Sequence, residues 1–208
     1  MKMAVFSKIG VALAAGLLAL SPVAAASATL SFSLNDAQGS APSTTDVTLE
    51  DVAGGVKFTY LVNDPVNTAD LIEVYFDVLD PYLHLALTFS GAGVITDTEF
   101  DTKSVAAGNI GQTFDVGVQI GAEGSGSDFF DSFAFTVLGI DLDVTDFFGQ
   151  TFAVRGQTVG VPGCTGCSSS KNFGTAPTSV AAVPLPAAGL LLAGALGAFG
   201  LMRRRRIA

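Results

Sequence analysis

The sequence has no tryptophan, one histidine and two cysteines among 208 residues, and only ten basic side chains. Without tryptophan, it lacks the largest flat aromatic side chain on which sugar-binding sites commonly stack their ligand. One pair of cysteines and one histidine cannot complete a four-ligand zinc site of the Cys/His kind. These shortages argue against a lectin and against a zinc finger.

Basic residues are scarcest in the middle of the chain. All nineteen acids lie between Asp36 and Asp146, whereas six of the ten basic residues lie in the two ends. The body between the ends therefore has nineteen acids against four bases, a formal net charge of −15. Such a surface repels nucleic acid and anionic membranes, so neither is expected as a partner. It keeps an exported protein soluble and can attract divalent cations.

Residues 1–28 have the layout of a secretory signal peptide. Lys2 and Lys8 precede an apolar run, residues 9–20, of the length of a signal-peptide core. Small residues at Ala26 and Ala28 suit signal peptidase, so cleavage is expected after Ala28 or alternatively after Ala26. No cysteine follows the run, which argues against a lipid-anchored lipoprotein.

Apolar and polar side chains alternate along residues 29–160, as in strands with one buried face. Turn signals rich in Gly, Asn, Asp and Pro separate the runs, and no helix-length segment lies between them as parallel strands would require. The pattern predicts an all-β ectodomain, an antiparallel β-sandwich or jelly roll of about eight or nine strands. The predicted strands are VKFTYLVN, LIEVYFDVL, YLHLALTFSG, QTFDVGVQIG, SFAFTVLG and TFAVRGQTVG, with weaker ones at TLSFSL and DVTLED.

Strand parity predicts which side chains face the core. In LIEVYFDVL it places Ile72 in the core and Tyr75 on the polar face. In YLHLALTFSG it places Leu85 in the core and His84 on the polar face. No G-x-S-x-G elbow accompanies this histidine, so it is interpreted as a solvent-facing strand residue rather than as part of a hydrolase triad.

Residues 161–182 are rich in Gly, Ser, Thr and Pro and are predicted to be a flexible tether. They contain Cys164 and Cys167 in the pattern CTGC. Thioredoxin-like chemistry requires a helix after the first cysteine, whereas glycine and serines surround this pair. In an exported protein, two thiols this close are expected to form a small disulfide.

Two acidic clusters are candidates for calcium. Asp141, Asp143 and Asp146 can converge at the start of a short helix predicted at residues 144–148, although capping by Asp143 explains them as well. The acids of the segment DTEFD alternate as on one face of a strand, and neither cluster fits an EF-hand. Calcium is the only cofactor that the sequence offers, and no catalytic residue is predicted.

Residues 183–208 have three parts. The motif VPLPA opens a 20-residue segment, residues 183–202, which is at the short end of what crosses a bilayer, and residues 187–202 within it are unbroken apolar residues or glycine. The arginines beyond it would stay on the cytoplasmic side, so the simplest interpretation is a membrane anchor. The proline pair presents extended backbone to a protease, which favours a sorting tail that is removed. The residues of the motif and of the basic cluster are Val183, Pro184, Leu185, Pro186, Ala187, Arg203, Arg204, Arg205 and Arg206.

This order of motif, apolar helix and arginine cluster resembles the VPLPA-CTERM variant of the PEP-CTERM protein-sorting domain. The resemblance covers residues 183–208 and implies recognition by an exosortase, an inner-membrane protease or transpeptidase with a cysteine nucleophile. It also implies delivery to the cell surface or the extracellular matrix, among secreted polysaccharides. The segment LPAAG is similar to the LPxTG signal of sortase substrates too, but Ala188 stands where that family has threonine.

The expected function is therefore that of a non-enzymatic structural or adhesive component outside the cell. Its expected partners are signal peptidase, an exosortase-type enzyme and extracellular polysaccharide, and only the precursor tail contacts a membrane. A carbohydrate- or calcium-binding β-sandwich module stays open as an alternative, which an exposed row of Tyr75 and Tyr82 would favour. A hydrolase built on paired carboxylates from distant strands is the third interpretation.

Overall fold

The computed structural model describes residues 27–180, apart from gaps at 40, 81–82, 92, 106–108, 123–127 and 165–166. In this part of the chain, eleven strands form two antiparallel sheets, and two short 3-10 helices span His84–Ala86 and Val144–Phe147. None of its helices has the length and apolar composition of a membrane span. The strands are β1 (Thr29–Leu34), β2 (Asp36–Gly39), β3 (Thr45–Val52), β4 (Gly55–Val62), β5 (Thr68–Phe76), β6 (Thr88–Ser90), β7 (Ile95–Thr102), β8 (Phe114–Ile120), β9 (Ser132–Leu138), β10 (Thr151–Gly160) and β11 (Ser168–Thr175).

The two sheets are joined on one side and open on the other. Sheet A has the strand order β1-β3-β4-β9-β6, and sheet B has the order β2-β11-β10-β5-β8-β7. The chain passes from β1 in sheet A to β2 in sheet B with only Asn35 between them. On the opposite side, the edge strands β6 and β7 line a groove of about 440 Å³.

The inner faces of the two sheets meet in one apolar core, which confirms an all-β fold of two antiparallel sheets. The ring of Phe58 on β4 lies 4.9 Å from that of Phe76 on β5, 5.3 Å from that of Phe135 on β9 and 5.2 Å from that of Phe147 in the second 3-10 helix. Ring pairs at such distances add about 0.5–1.5 kcal/mol each beyond the area that they bury. Period-two alternation correctly identifies the inward-facing residues of β4, β9 and β10, namely Val56, Phe58, Tyr60, Phe133, Phe135, Val137, Phe152 and Val154.

The predicted polar face of LIEVYFDVL is wrong, because β5 is buried on both faces. Tyr75 is fully buried in a second apolar cluster, in which Val105 and Ile110 cover the outer side of sheet B. The alternation also breaks at Ile72, which falls in a register shift between the pairs that β5 makes with β10. When both faces of a sheet are covered, a strand in its middle has no solvent-facing side chains and need not alternate between apolar and polar residues.

The predicted strand YLHLALTFSG is wrong in its first half. Residues His84–Ala86 form a 3-10 helix, and only Thr88–Ser90 form a strand, β6. His84 is 4% exposed and Leu85 is 60% exposed, the reverse of the prediction. In a 3-10 helix, side chains three residues apart lie on one side, which buries His84 together with Leu87.

Residues 161–182, predicted to be a flexible tether, contain β11. This strand pairs with β10 from Thr175 to Ser168 and with β2 on its other side. Its inward residues are polar. One of them is the buried Asn172, whose Nδ2 donates to the Ser43 carbonyl oxygen at 2.7 Å. Buried polar residues give no apolar alternation, so β11 does not appear among the predicted strands, and the four mostly exposed residues of β2 give none either.

Two buried tyrosines test how much the hydrogen bonding of a buried hydroxyl group contributes to the free energy of unfolding. The hydroxyl of Tyr60 is buried and has no hydrogen-bond partner among the residues that the structure describes, and burial raises the pKa of this residue. We expect Tyr60→Phe to increase the free energy of unfolding by about 1 kcal/mol, because it removes an unpaired buried polar group. Urea denaturation of the full-length chain in mild detergent, followed by circular dichroism, measures this change.

Tyr75→Phe is the matched control with the opposite sign. The Tyr75 hydroxyl donates to Glu73 Oε2 at 2.9 Å and accepts from the Val105 N–H at 3.3 Å. Its loss leaves the buried carboxylate with one donor fewer, so we expect a decrease of about 1–2 kcal/mol. A Tyr60→Phe variant that is less stable than the parent would contradict the assignment of an unpaired hydroxyl.

Candidate functional site

Three aspartates lie side by side at one end of sheet B. Asp77 follows β5, Asp115 is the second residue of β8, and Asp101 is the last but one residue of β7. The register of β5 with β8 and of β7 with β8 places Asp115 between the other two. We call these three residues the aspartate row.

His84 lies beside this row, in the 3-10 helix that precedes β6. Its ring centroid is 6.0 Å from that of Phe100 on β7. Its Nε2 is 3.2 Å from Asp101 Oδ1, but the two groups are not aligned for a hydrogen bond, and neither ring nitrogen has a hydrogen-bond partner among the described residues. A buried polar group without a partner costs about 1–3 kcal/mol, so this histidine requires a physical explanation.

His84, Asp101 and Asp115 each offer one ligand atom, and these three atoms lie within 4.8 Å of one another. The side chain of Asp101 is 68% exposed, whereas Asp115 is half-buried. Asp101 also has a φ of +50°, in the left-handed region that aspartate adopts more readily than most residues. The cluster therefore combines a buried imidazole, a half-buried carboxylate and an exposed one.

Backbone groups hold two carboxylates of the aspartate row. Asp115 Oδ2 accepts from the Val78 N–H at 2.9 Å, and Asp77 Oδ1 accepts from the Asp115 N–H at 3.2 Å. Burial raises the pKa of Asp77, and so does the negative charge of Asp115. The hydrogen bond from the Asp115 N–H lowers this pKa but does not outweigh the other two effects. None of the ion pairs seen among the described residues brings a lysine or an arginine to the row. The basic side chain that a described ion pair brings to the row is the imidazole of His84, beside Asp101.

The calcium candidates Asp141, Asp143 and Asp146 do not converge as a group of three ligands. Asp143 Oδ1 accepts from the Thr145 N–H at 2.7 Å, and Asp146 Oδ2 accepts from the Asp143 N–H at 3.0 Å. These contacts form a capping box at the start of the 3-10 helix Val144–Phe147. The capping interpretation accounts for two of the three carboxylates.

Cys164 and Cys167 are joined by a disulfide in the turn between β10 and β11. The Cys164 N–H donates to the Val161 carbonyl oxygen at 3.0 Å, which closes the same turn. A bridge over so short a loop constrains little of the unfolded chain, so its effect is local to the turn. Both cysteines of the chain are used in it, which leaves neither thiol as a metal ligand.

Most residues of the two predicted export signals lie outside the described residues. Ala26 lies there, and so do residues 183–187 and 203–206. Ala28 is described, and its carbonyl oxygen accepts from the Asp51 N–H at 3.1 Å. Tyr82 lies outside the described residues as well, and Tyr75 is buried. Tyr75 therefore cannot contribute to the exposed tyrosine row that carbohydrate binding would favour.

Of the aspartate row, only Asp101 was a candidate from the sequence, as part of DTEFD, and His84 was predicted on the wrong face. A partial signal was present, because Asp77, Asp101 and Asp115 each occupy a polar position next to an apolar residue in an alternating run. Alternation does not reveal which strands are neighbours, and the order β5-β8-β7 is what brings the three together.

No protein-family model, no curated protein and no solved structure matches this chain. The geometry of the site and the pattern of the sequence therefore carry the functional argument.

Asp77→Asn is expected to raise stability at neutral pH. A carboxyl group with a raised folded-state pKa contributes stability that is present below its unfolded pKa and is lost as pH rises through the folded value. The amide oxygen can still accept from the Asp115 N–H, and the charge is gone. We expect a gain of less than about 1 kcal/mol, allowing for solvent screening. The gain should vanish as pH falls below the ordinary aspartate pKa of 3.8, as urea denaturation at several pH values can measure.

Asp64→Asn is the matched control, with the same chemical change and the opposite sign. The N–H groups of Asn67 and Val66 donate to Asp64 Oδ1 at 2.8 and 2.9 Å and lower the pKa of this carboxyl group. The stability that the Asp64 carboxylate contributes is present above its pKa in the unfolded chain and is lost as pH falls through its pKa in the folded protein. This variant should therefore lose stability at neutral pH. Changes of the same sign in both variants would contradict the charge environments described for them.

Proposed function

We propose that this chain is exported, that an exosortase-type enzyme removes its tail, and that the mature form is a non-enzymatic structural or adhesive component at the cell surface or in the extracellular matrix. The observation that carries the proposal is the order of VPLPA, apolar run and arginine cluster in residues 183–206 of a chain whose first 28 residues resemble a signal peptide. The described all-β body lies between these two ends.

The extent of the folded body is consistent with a cargo held between two removable ends. Strand β1 begins at Thr29, and the buried Ala176 donates its N–H to the Gln150 carbonyl oxygen at 2.9 Å. Residues 177–182 are all that separate Ala176 from the motif, and they can span about 20 Å when fully extended. The body of the precursor would therefore stand close to the membrane until the tail is cut.

The contacts of residues 27 and 28 favour one of the two signal-peptidase positions. Ser27 Oγ donates to Glu50 Oε1 at 3.4 Å, and the Ala28 carbonyl oxygen accepts from the Asp51 N–H at 3.1 Å. Cleavage after Ala26 keeps both contacts between the first strand and β3, whereas cleavage after Ala28 removes them. We therefore place the mature N-terminus at Ser27.

A carbohydrate-binding module has less support. Such modules stack sugars on exposed flat aromatic rings. The chain has no tryptophan, and two of its three tyrosines, Tyr60 and Tyr75, are buried. Extracellular polysaccharide is therefore proposed as the surrounding material of a matrix component rather than as a ligand held in a stacking site.

Intact-mass spectrometry of the protein from the outer-surface and culture fractions of the native cell tests the export proposal. We expect a chain that begins at Ser27, ends between Val183 and Ala187, and is lighter by two hydrogen atoms because of the disulfide. A mass that retains Arg203–Arg206 would instead support a membrane-anchored protein. A C-terminus at Ala188 linked to the cell wall would support sortase processing.

Two variants test whether the tail itself directs processing. Deleting Arg203–Arg206, or combining Pro184→Ala with Pro186→Ala, should make full-length precursor accumulate in the inner membrane. The control combines Thr178→Ala with Ser179→Ala, directly upstream of the motif, and should be processed normally. Normal processing and location of the arginine deletion would overturn the sorting proposal.

A further inference from the structure

The distances among His84, Asp101 and Asp115 fit ligands that share one ion. Bonds from zinc to nitrogen or carboxylate oxygen are about 2.0–2.2 Å, so two ligands of one ion stand roughly 3–4 Å apart. His84 Nε2 and Asp101 Oδ1 are 3.2 Å apart, and Asp115 brings a third ligand atom within 4.8 Å of both. The side chain of Asp101 is 68% exposed, whereas the His84 imidazole is buried and the carboxylate of Asp115 is held by the Val78 N–H.

The state of His84 separates this cluster from an ordinary acidic surface. The imidazole is 4% exposed, and in the described part of the chain neither of its nitrogens has a hydrogen-bond partner. An ion pair with Asp101 explains the position poorly, because the groups are misaligned and the carboxylate is largely in water. A coordinated metal ion would satisfy one nitrogen in place, without a hydrogen bond.

The charge and the surroundings of the carboxylates also favour a bound metal ion. Asp101 and Asp115 lie within reach of the imidazole, and Asp77 stands behind Asp115 as a third negative group. A divalent cation would offset the repulsion among them. The bond from the Val78 N–H to Asp115 Oδ2, at 2.9 Å, orients that carboxylate as outer-shell contacts orient metal ligands.

The mixed ligand set selects the class of ion. Imidazole suits zinc, copper, iron and nickel, and carboxylates suit magnesium, calcium and manganese. Calcium takes six to eight oxygen ligands, so a nitrogen ligand counts against it. We infer that His84, Asp101 and Asp115 form a binding site for one divalent transition-metal ion, with Zn²⁺ favoured over Mn²⁺. Three protein ligands leave at least one coordination position for water on the exposed side, next to Asp101.

This site goes beyond the proposed function and does not depend on where the protein is delivered. It lies apart from the calcium position predicted at Asp141, Asp143 and Asp146, and it shares only Asp101 with the acidic segment DTEFD, the other calcium candidate.

Titration calorimetry of the full-length chain, purified in mild detergent without a histidine tag and stripped with a chelator, tests the inference. We expect one equivalent of Zn²⁺ to bind, Mn²⁺ to bind more weakly, and Ca²⁺ not to displace Zn²⁺. Because His84 is the only histidine in the chain, its imidazole proton resonances need no further assignment. They should shift on addition of Zn²⁺ and broaden on addition of paramagnetic Mn²⁺.

Asp101→Asn and Asp115→Asn test the carboxylate ligands. Losing a direct ligand should weaken Zn²⁺ binding by more than the roughly 10- to 100-fold that loss of an outer-shell partner costs. Asp97→Asn is the matched control, because Asp97 is an exposed aspartate of the same strand outside the cluster, and it should leave binding unchanged. Unchanged melting temperatures of the metal-free variants show that folding is intact.

Four results would overturn the inference. They are the absence of stoichiometric Zn²⁺ binding, full affinity in both Asp101→Asn and Asp115→Asn, an equal loss of affinity in Asp97→Asn, and imidazole resonances of His84 that do not respond to Zn²⁺. The last result would leave His84 as a buried histidine beside an acidic surface.

Discussion

The contact of Phe58 with rings from both sheets is the interaction on which the rest of the structure depends. It packs on Phe135 within sheet A and on Phe76 and Phe152 of sheet B, so one ring ties the two layers together. Interiors are close-packed, and a ring of this size sets the local distance between the sheets. Phe76 is also the last residue of β5, so the same packing fixes where Asp77, the next residue, leaves the sheet.

The other members of the site are positioned in the same way, each by an apolar residue nearby in the sequence. Asp115 precedes the buried Val116, and Asp101 follows Phe100, which packs against the core. His84 lies three residues before the buried Leu87, on the same side of a 3-10 helix. The core therefore holds polar groups in place through their neighbours, while the pairing of β7 with β8 determines which of them meet.

The sequence was sufficient for the fold class, because apolar residues recur at every second position in β4, β9 and the first part of β10. It was insufficient for β11, whose buried Asn172 donates its Nδ2 to the carbonyl oxygen of Ser43, about 130 residues away in the sequence. The burial of His84 was predicted wrongly because side chains on one side of a strand recur at every second residue, whereas those on one side of a 3-10 helix recur at every third. The site could not be predicted, since alternation reports which way a side chain points and carries no information about which strand lies next to it.

The edges of the sheets bear on how copies of this protein can associate. An exposed strand edge offers unpaired backbone groups to a second chain, and natural proteins protect such edges with short strands or with charge. The edge strands β6 and β2 span Thr88–Ser90 and Asp36–Gly39, and the longer edge strand β7 exposes Asp97, Glu99 and Asp101. Strand-to-strand addition is therefore blocked at three of the four edges by shortness or by repulsion. In the surface or matrix setting proposed above, copies of the chain would therefore meet at these three edges through side chains, and fibre-like strand addition would be limited to the fourth edge, β1.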